Sequence, residues 1–235
     1  MKSLVLIAAK DEAGTVGPIV AAVRDIGHVL VIVNPSNDGA ATAKVAHDNG
    51  AEVLENDSDL NIGGSLMQGY AYAMDHDYEC LTQMDAGGSH SAADALRIFE
   101  AGIKRSSTVI GSRLGESAIF DQKWRRRCLT RFAGWLGRKA VGVRMDAADK
   151  PVWPDGYACD FTSGLRFYPF TAFRYLALYP FEEKGHVFNW VTAVRLAQAG
   201  YPLDWIPITY VAGRSSASFE SLWEATWSAI AAIGS

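Results

Sequence analysis

Leu81-Thr82-Gln83-Met84-Asp85-Ala86-Gly87-Gly88-Ser89-His90 reads as the end of a buried strand that stops on a carboxylate and turns through two glycines. The apolar run starts near Tyr78, and a hydroxyl and an imidazole follow the turn. Ligands gather at the carboxyl ends of strands in an open α/β sheet, so Asp85 is a candidate functional group. The plainer reading is a strand leaving the sheet through an Asp-Gly turn, which the local pattern alone favours. Upstream, Asn61-Ile62-Gly63-Gly64-Ser65-Leu66-Met67-Gln68-Gly69-Tyr70 reads as a glycine-rich turn opening a helix.

Strand and helix patterns alternate on both sides of this stretch. Apolar runs at 3–9, 28–34, 51–54, 79–84 and 107–111 read as strands, and helical spacing over 13–26, 39–49, 64–74 and 92–103 reads as the helices between them. Repeated strand–helix units at this spacing predict an α/β, Rossmann-like fold with a mostly parallel central sheet and helices on both faces. Pro35-Ser36-Asn37-Asp38-Gly39 is a turn capping the second helix. Residues 145–157, with Pro151 and Pro154, form a candidate mobile loop. A strand over 160–168, helices over 170–178 and 185–199, a strand over 203–208 and an amphipathic C-terminal helix are expected after it. No repeat, low-complexity segment or linker divides the 235 residues, which suffice for one large domain.

The composition, 49% hydrophobic and 20% charged, is that of an ordinary globular protein. A net charge of −4 argues against nucleic acid as a partner. Cys80, Cys128 and Cys159 are odd in number and lack metal-type spacing, which argues against a disulfide framework or a zinc site. Met1-Lys2-Ser3 runs into a first buried strand rather than a signal peptide, and no run approaches the ~20 apolar residues of a membrane span. The expectation is a cytoplasmic protein, or one lying on the inner face of a membrane.

Other motifs stand at strand ends. In Ile7-Ala8-Ala9-Lys10-Asp11-Glu12, small residues let a nucleoside approach the backbone and the carboxylates accept hydrogen bonds; equally, Asp11 and Glu12 suit the start of the next helix. Val31-Ile32-Val33-Asn34-Pro35-Ser36-Asn37-Asp38-Gly39 offers Asn34 and Ser36 to a nucleotide, or is a helix-capping turn alone. Gly111-Ser112-Arg113 sets a guanidinium, whose fork binds two phosphate oxygens at once, at a strand end; the alternative is a surface arginine. Arg127, Arg131 and Arg138 fall within about 40° of one another at helical spacing, with Leu129, Phe132, Leu136 and Ala140 opposite them and Trp124 and Trp135 on the flanks. That pattern fits a helix at a membrane–water interface, or a solvated basic face over a buried apolar one. Asp160-Phe161-Thr162-Ser163-Gly164-Leu165-Arg166 and Gly213-Arg214-Ser215-Ser216 complete the set.

In order and spacing these segments resemble family-two glycosyltransferases of the dolichol-phosphate-mannose-synthase group, over roughly residues 5–218. The resemblance implies the glycosyltransferase version of the Rossmann-like fold, with a nucleotide-binding half (1–111) and an acceptor-side half (112–235) carrying the C-terminal helix. It implies a nucleotide contact at Ala8, Ala9, Asp11, Glu12, Asn34, Ser36, Asp85 and Ala86, with Asp85, Asp160 and Arg113 catalytic. The acceptor falls to Arg127, Arg131, Ser163 and Gly164. The family's strand ends in Asp-x-Asp, whose carboxylates hold a divalent cation against a diphosphate; the second Asp is Gly87 here, which leaves Asp85 with Ser89 to hold Mg²⁺ or Mn²⁺. Val33, Asn34 and Ser89 also depart from the pattern, Tyr210 stands where the family has an arginine, and His90 matches its histidine or merely starts a helix.

The activity implied is transfer of a sugar from a nucleoside diphosphate donor to a polyprenyl phosphate, with peripheral membrane contact or a membrane-protein partner. Loss of acidic positions motivates an alternative, a non-catalytic relative that binds a sugar nucleotide or lipid, or serves as a partner subunit. A sugar nucleotidyltransferase would need a glycine cluster beside Lys10, which residues 8–15 lack.

Overall fold

Strand β1 (Ser3–Ala9) carries Leu4, Val5, Leu6 and Ile7, all wholly buried, because helices cover both faces of the sheet. Its period of two sorts these residues between two cores. Leu4 and Leu6 join Leu30, Ile32 and Tyr70 on one face, and Val5 and Ile7 join Val29, Val31 and Ile98 on the other. The computed structural model describes residues 1–114, 118–120, 124–141, 159–180, 185 and 187–211. The expected loop at 145–157, the Gly213–Ser216 segment and the C-terminal helix lie outside these residues.

The chain continues through α1 (Val16–Val23), β2 (His28–Val33), α2 (Gly39–Asp48), β3 (Glu52–Glu55), α3 (Asn61–Asp75), β4 (Cys80–Asp85), α4 (Ala92–Arg105) and β5 (Thr108–Ser112). Then come β6 (Ile119–Phe120), α5 (Trp124–Val141), β7 (Arg166–Pro169), α6 (Phe170–Leu178), α7 (Phe188–Gln198), β8 (Leu203–Pro207) and β9 (Thr209–Tyr210). The main sheet has seven strands in the order β3-β2-β1-β4-β7-β5-β8, all parallel but β7. Chain order reverses between β1 and β4, which opens a crevice beyond their carboxyl ends.

Three expectations change for local reasons. Helix α3 starts at Asn61 rather than Gly64 because Asn34 Oδ1 accepts from the Leu60 N–H (3.3 Å) and Ser65 Oγ (3.1 Å), fixing the first turn. The strand expected over 160–168 is only Arg166–Pro169. Side chains bind the backbone before it: Arg166 donates to the carbonyls of Phe161 and Ser163, both at 2.7 Å, so these groups make no ladder. The short parallel pair β6–β9 was not anticipated, two residues being too few to show a pattern. No helix among the described residues is long and apolar enough to cross a membrane.

Candidate active site

Register sets the centre of the crevice: Ala8 of β1 pairs with Asp85 of β4, and Ala9 with Val33 of β2. A pocket of about 650 Å³ opens there. One half is polar, bounded by residues 8–12, Asn34, Asp59, Asn61, and Asp85–Gly87 with Ser89. The other lies between α5 and α7, where Leu129, Ala133, Leu136, Val187 and Trp190 give it an apolar wall. Arg113, Thr162, Gly164 and Tyr210 line the boundary.

The polar half is tightly cross-bonded. Asn34 Oδ1 also accepts from Asn56 Nδ2 at 3.0 Å, and its Nδ2 donates to the Asn61 carbonyl at 3.4 Å. The residue expected to read a base edge therefore clamps the 56–65 segment; a carboxamide suits that task because it both accepts and donates. Lys10 Nζ meets Asp59 Oδ2 at 2.5 Å across the rim, and Glu12 Oε2 accepts from Thr15 Oγ1 at 2.8 Å. Asp11, in the left-handed region at φ 56°, accepts from the Asp38 N–H at 3.2 Å. That bond holds its carboxyl below the usual range. Ser36, expected to contact the nucleotide, is not among the pocket-lining residues, and its buried Oγ has no hydrogen-bond partner among the described residues.

Asp85 is half-buried, with Oδ2 3.3 Å from Nε2 of the buried His90. Burial pushes its pKa up, but the neighbouring His90 imidazole, then the charges of Arg113 and Arg166, hold it below the ordinary value. A Cβ on Gly164 would lie 2.5 Å from Asp85 Oδ1. The glycine expected to admit a ligand lines the pocket and also makes room for this carboxylate. Ser89 lines the pocket beside it.

Asp160 is wholly buried and saturated. Arg113 donates to it through Nε (2.7 Å to Oδ2), Nη2 (2.9 Å to Oδ1) and its backbone N–H (3.2 Å). The N–H and hydroxyl of Thr162 fill the rest, at 3.1 and 2.8 Å. Burial raises the pKa of Asp160, and the Arg113 charge together with the hydrogen bonds from Arg113 and Thr162 brings it below the ordinary value. Asp160, expected to be catalytic, holds Arg113 at the pocket wall, with the guanidinium 5.2 Å from the Tyr210 ring, and does not itself line the pocket. Ser163, also wholly buried, does not line the pocket either, because the turn that presents Gly164 directs it into the wall.

On α5 the pocket takes Arg126, Leu129, Thr130 and Ala133, spaced i, i+3, i+4, i+7. Arg127 and Arg131, expected to bind the acceptor, are exposed on the outer face and do not line the pocket. Helical phase decides this, since one residue is a rotation of about 100°. Phe132, expected on the buried side, stacks on Trp135 in the open, their centroids 5.7 Å apart. Arg126, Thr162 and Trp190 were missed; asking which face of α5 is apolar at helical spacing, rather than which is basic, would have found Arg126.

Asp85 and Ser89 offer one carboxylate and one hydroxyl, and among the described residues no group of three His, Cys, Asp or Glu could hold a metal ion. Asp11 and Asp59 line the same pocket but are engaged with the Asp38 N–H and Lys10. This donor set does not fit a tightly held divalent cation.

No protein-family model matches the chain. It is 28% identical over 218 residues to the undecaprenyl-phosphate mannosyltransferase of Micrococcus luteus, covering 90% of this chain and 84% of that one. It is 26% identical over 188 residues to the polyprenol monophosphomannose synthase of Mycolicibacterium smegmatis, covering 78% and 66%. Among solved structures, mannosyl-3-phosphoglycerate synthase from Rubrobacter xylanophilus superposes with a TM-score of 0.72 at 14% identity, over 99% of this chain and 73% of that one. Glucosyl-3-phosphoglycerate synthase from Mycobacterium tuberculosis, in complex with Mn²⁺, uridine-diphosphate-glucose and phosphoglyceric acid, gives 0.71 at 14% identity, over 99% and 80%. The fold is the Rossmann-like glycosyltransferase fold.

Proposed function

We propose that this chain, a relative of the bacterial polyprenyl-phosphate mannosyltransferases, is a hexosyltransferase that moves a sugar from a nucleoside diphosphate to a polyprenyl phosphate. One observation carries the reading: a single pocket is polar at the strand ends of β1 and β4 and apolar between α5 and α7. A sugar nucleotide suits the first half and an isoprenoid phosphate the second. Residues 1–111 then serve chiefly the donor and 112–235 the acceptor.

In this reading Ala8, Ala9 and Ala86 let the nucleoside lie against the backbone, and Asp11 and Glu12 accept from its hydroxyls. An oxygen of the acceptor phosphate, already anionic at neutral pH, attacks the anomeric carbon. The bond from that carbon to the β-phosphate oxygen breaks, and its electron pair leaves with the nucleoside diphosphate. No general base is required. Arg113, oriented by Asp160, and Arg126 face the phosphates, where guanidinium forks suit two oxygens. Mg²⁺ or Mn²⁺, which the resemblance implies, would find Asp85 and Ser89 as its ligands here.

The exposed side of α5, with Arg127, Arg131, Trp124, Phe132 and Trp135, suits peripheral contact with the membrane that holds such an acceptor. Gly87, in place of a second carboxylate, favours a second reading, a non-catalytic binder of the same sugar nucleotide. Incubation with labelled UDP- and GDP-hexoses and undecaprenyl phosphate separates the two. Label passing into the lipid fraction is the expected result. Donor binding without transfer would establish the non-catalytic reading instead.

A further inference from the structure

We infer that this pocket neutralises the donor's diphosphate with guanidinium groups of the chain, Arg126 foremost, instead of a divalent cation. The inference rests on the donor reading above and concerns how the same site works.

Asp85 is the starting point. A carboxylate that waits for a metal needs open lone pairs, since an ion such as Mg²⁺ must approach to about 2.0–2.1 Å. Here Oδ1 occupies the space that a Cβ on Gly164 would take, and His90 Nε2 stands 3.3 Å from Oδ2. The position two residues on, where a second carboxylate would complete the grip, is Gly87. What remains is one half-buried carboxylate without an acidic partner among the described residues.

The cations are unusually placed. Arg166 is wholly buried, and among the described residues it has no carboxylate partner. It donates to the Phe161 and Ser163 carbonyls and to the hydroxyls of Thr192 (3.0 Å) and Tyr168 (3.3 Å), four bonds that spend its guanidinium on holding the backbone before β7. The loop that Arg166 braces, residues 161–164, is the pocket wall itself. Arg166 is therefore a positioning residue. Arg126 lines the pocket with no ion pair among the described residues, and Arg113 stands across from it with its charge shared by Asp160. Arg126 brings to the pocket positive charge that a divalent ion would otherwise supply. When the sugar–phosphate bond breaks, the pair arriving on the β-phosphate oxygen meets these groups.

The test measures binding of UDP and of GDP to the full chain by calorimetry, with Mn²⁺ or with EDTA. For the nucleotide that binds, the two conditions should agree within about threefold in the wild type. Gly87→Asp restores the missing carboxylate. Gly87 is not among the positive-φ glycines, whereas Gly88 is, at φ 72°, so the aspartate enters without backbone strain. This variant should gain about tenfold or more in Mn²⁺ and nothing in EDTA. Arg126→Gln should lose about tenfold in both conditions. Arg166→Met, matched in bulk, should keep a cooperative melt while losing diphosphate affinity more than nucleoside affinity, a split that a purely structural role would not give. Wild-type affinity collapsing in EDTA overturns the inference and leaves the functional reading standing. So does Gly87→Asp without gain, since the absent carboxylate would then not set metal dependence. Neither nucleotide binding under any condition overturns the functional reading itself.

Discussion

At the end of β4, Asp85 keeps a third of its side chain open to the pocket; in the loop before β7, Asp160 keeps none. Both stand beside an arginine or histidine and both are held as carboxylates. The difference lies in what their oxygens still have to offer. Asp160 accepts from Arg113 and Thr162 on every side, so it fixes the wall. Asp85 has one imidazole beside it and stays a third exposed at the pocket, so it is open to a hydrogen-bonding ligand although it lacks the second carboxylate a metal would need. The number of engaged lone pairs, more than the residue type, separates a structural acid from a functional one.

The strongest way to break this comparison is to neutralise each acid in turn. Asp160→Asn leaves the Arg113 guanidinium buried against an amide and should cost about 3–5 kcal/mol of folding free energy, read by urea unfolding. Asp85→Asn should change stability by no more than about 1 kcal/mol, since one partner is half-open. Its loss should appear in sugar transfer instead, by about 100-fold, or roughly 2.7 kcal/mol at the transition state. The reverse pattern would void the contrast. The acid limb gives a second reading. Asp160 is held below its unfolded value of about 3.9, so its stabilisation is full above that pH and lost as pH falls through the lower folded value. Asp160→Asn should therefore lose stability less steeply with acid than the wild type.

Gly164→Ala sharpens the same comparison at intermediate cost. The added methyl would stand 2.5 Å from Asp85 Oδ1 and 2.9 Å from Oδ2. Either the carboxylate swings away or the loop shifts, at about 1–3 kcal/mol. A crystal structure of the variant should show Asp85 displaced, and transfer should fall with it. Full activity with an undisturbed Asp85 would mean that the close packing is not what sets its position.

The sheet was legible because burial on both faces writes β1 and β2 as long apolar runs, and because Asp85 stands where the buried, mostly apolar β4 stops. The roles of the polar residues were less so, since their partners are far along the chain. Asn34 meets Asn56, Leu60 and Ser65, at separations of 22 to 31 residues, and nothing local marks it as a clamp. Asp160 meets Arg113 at a separation of 47. The motif that contains it reads as a functional loop, and the structure makes its acid a support. On α5 the error was one of phase: clustered arginines drew attention to the outer face, while the pocket takes the neighbouring residue.

The smallest effect is expected on that outer face. Arg127 and Arg131 are exposed, whereas Arg138 is half-buried, with an Nε that has no hydrogen-bond partner among the described residues. Trp124 is 70% exposed, and the stacked Phe132 and Trp135 are 42% and 46% exposed, which leaves aromatic surface beside the two open charges. Each charge near an anionic surface contributes about 1 kcal/mol, so the pair gives a weak attachment that salt erases. Flotation with phosphatidylglycerol vesicles at low salt should recover the wild type and lose the Arg127/Arg131→Ala variant, with Arg138→Ala close to wild type. Pure phosphatidylcholine vesicles should recover little of any of them. If Arg126→Gln were the variant released from vesicles, while Arg127/Arg131→Ala stayed bound, the two faces of α5 would have exchanged roles. The division between a pocket face and a membrane face would then fail.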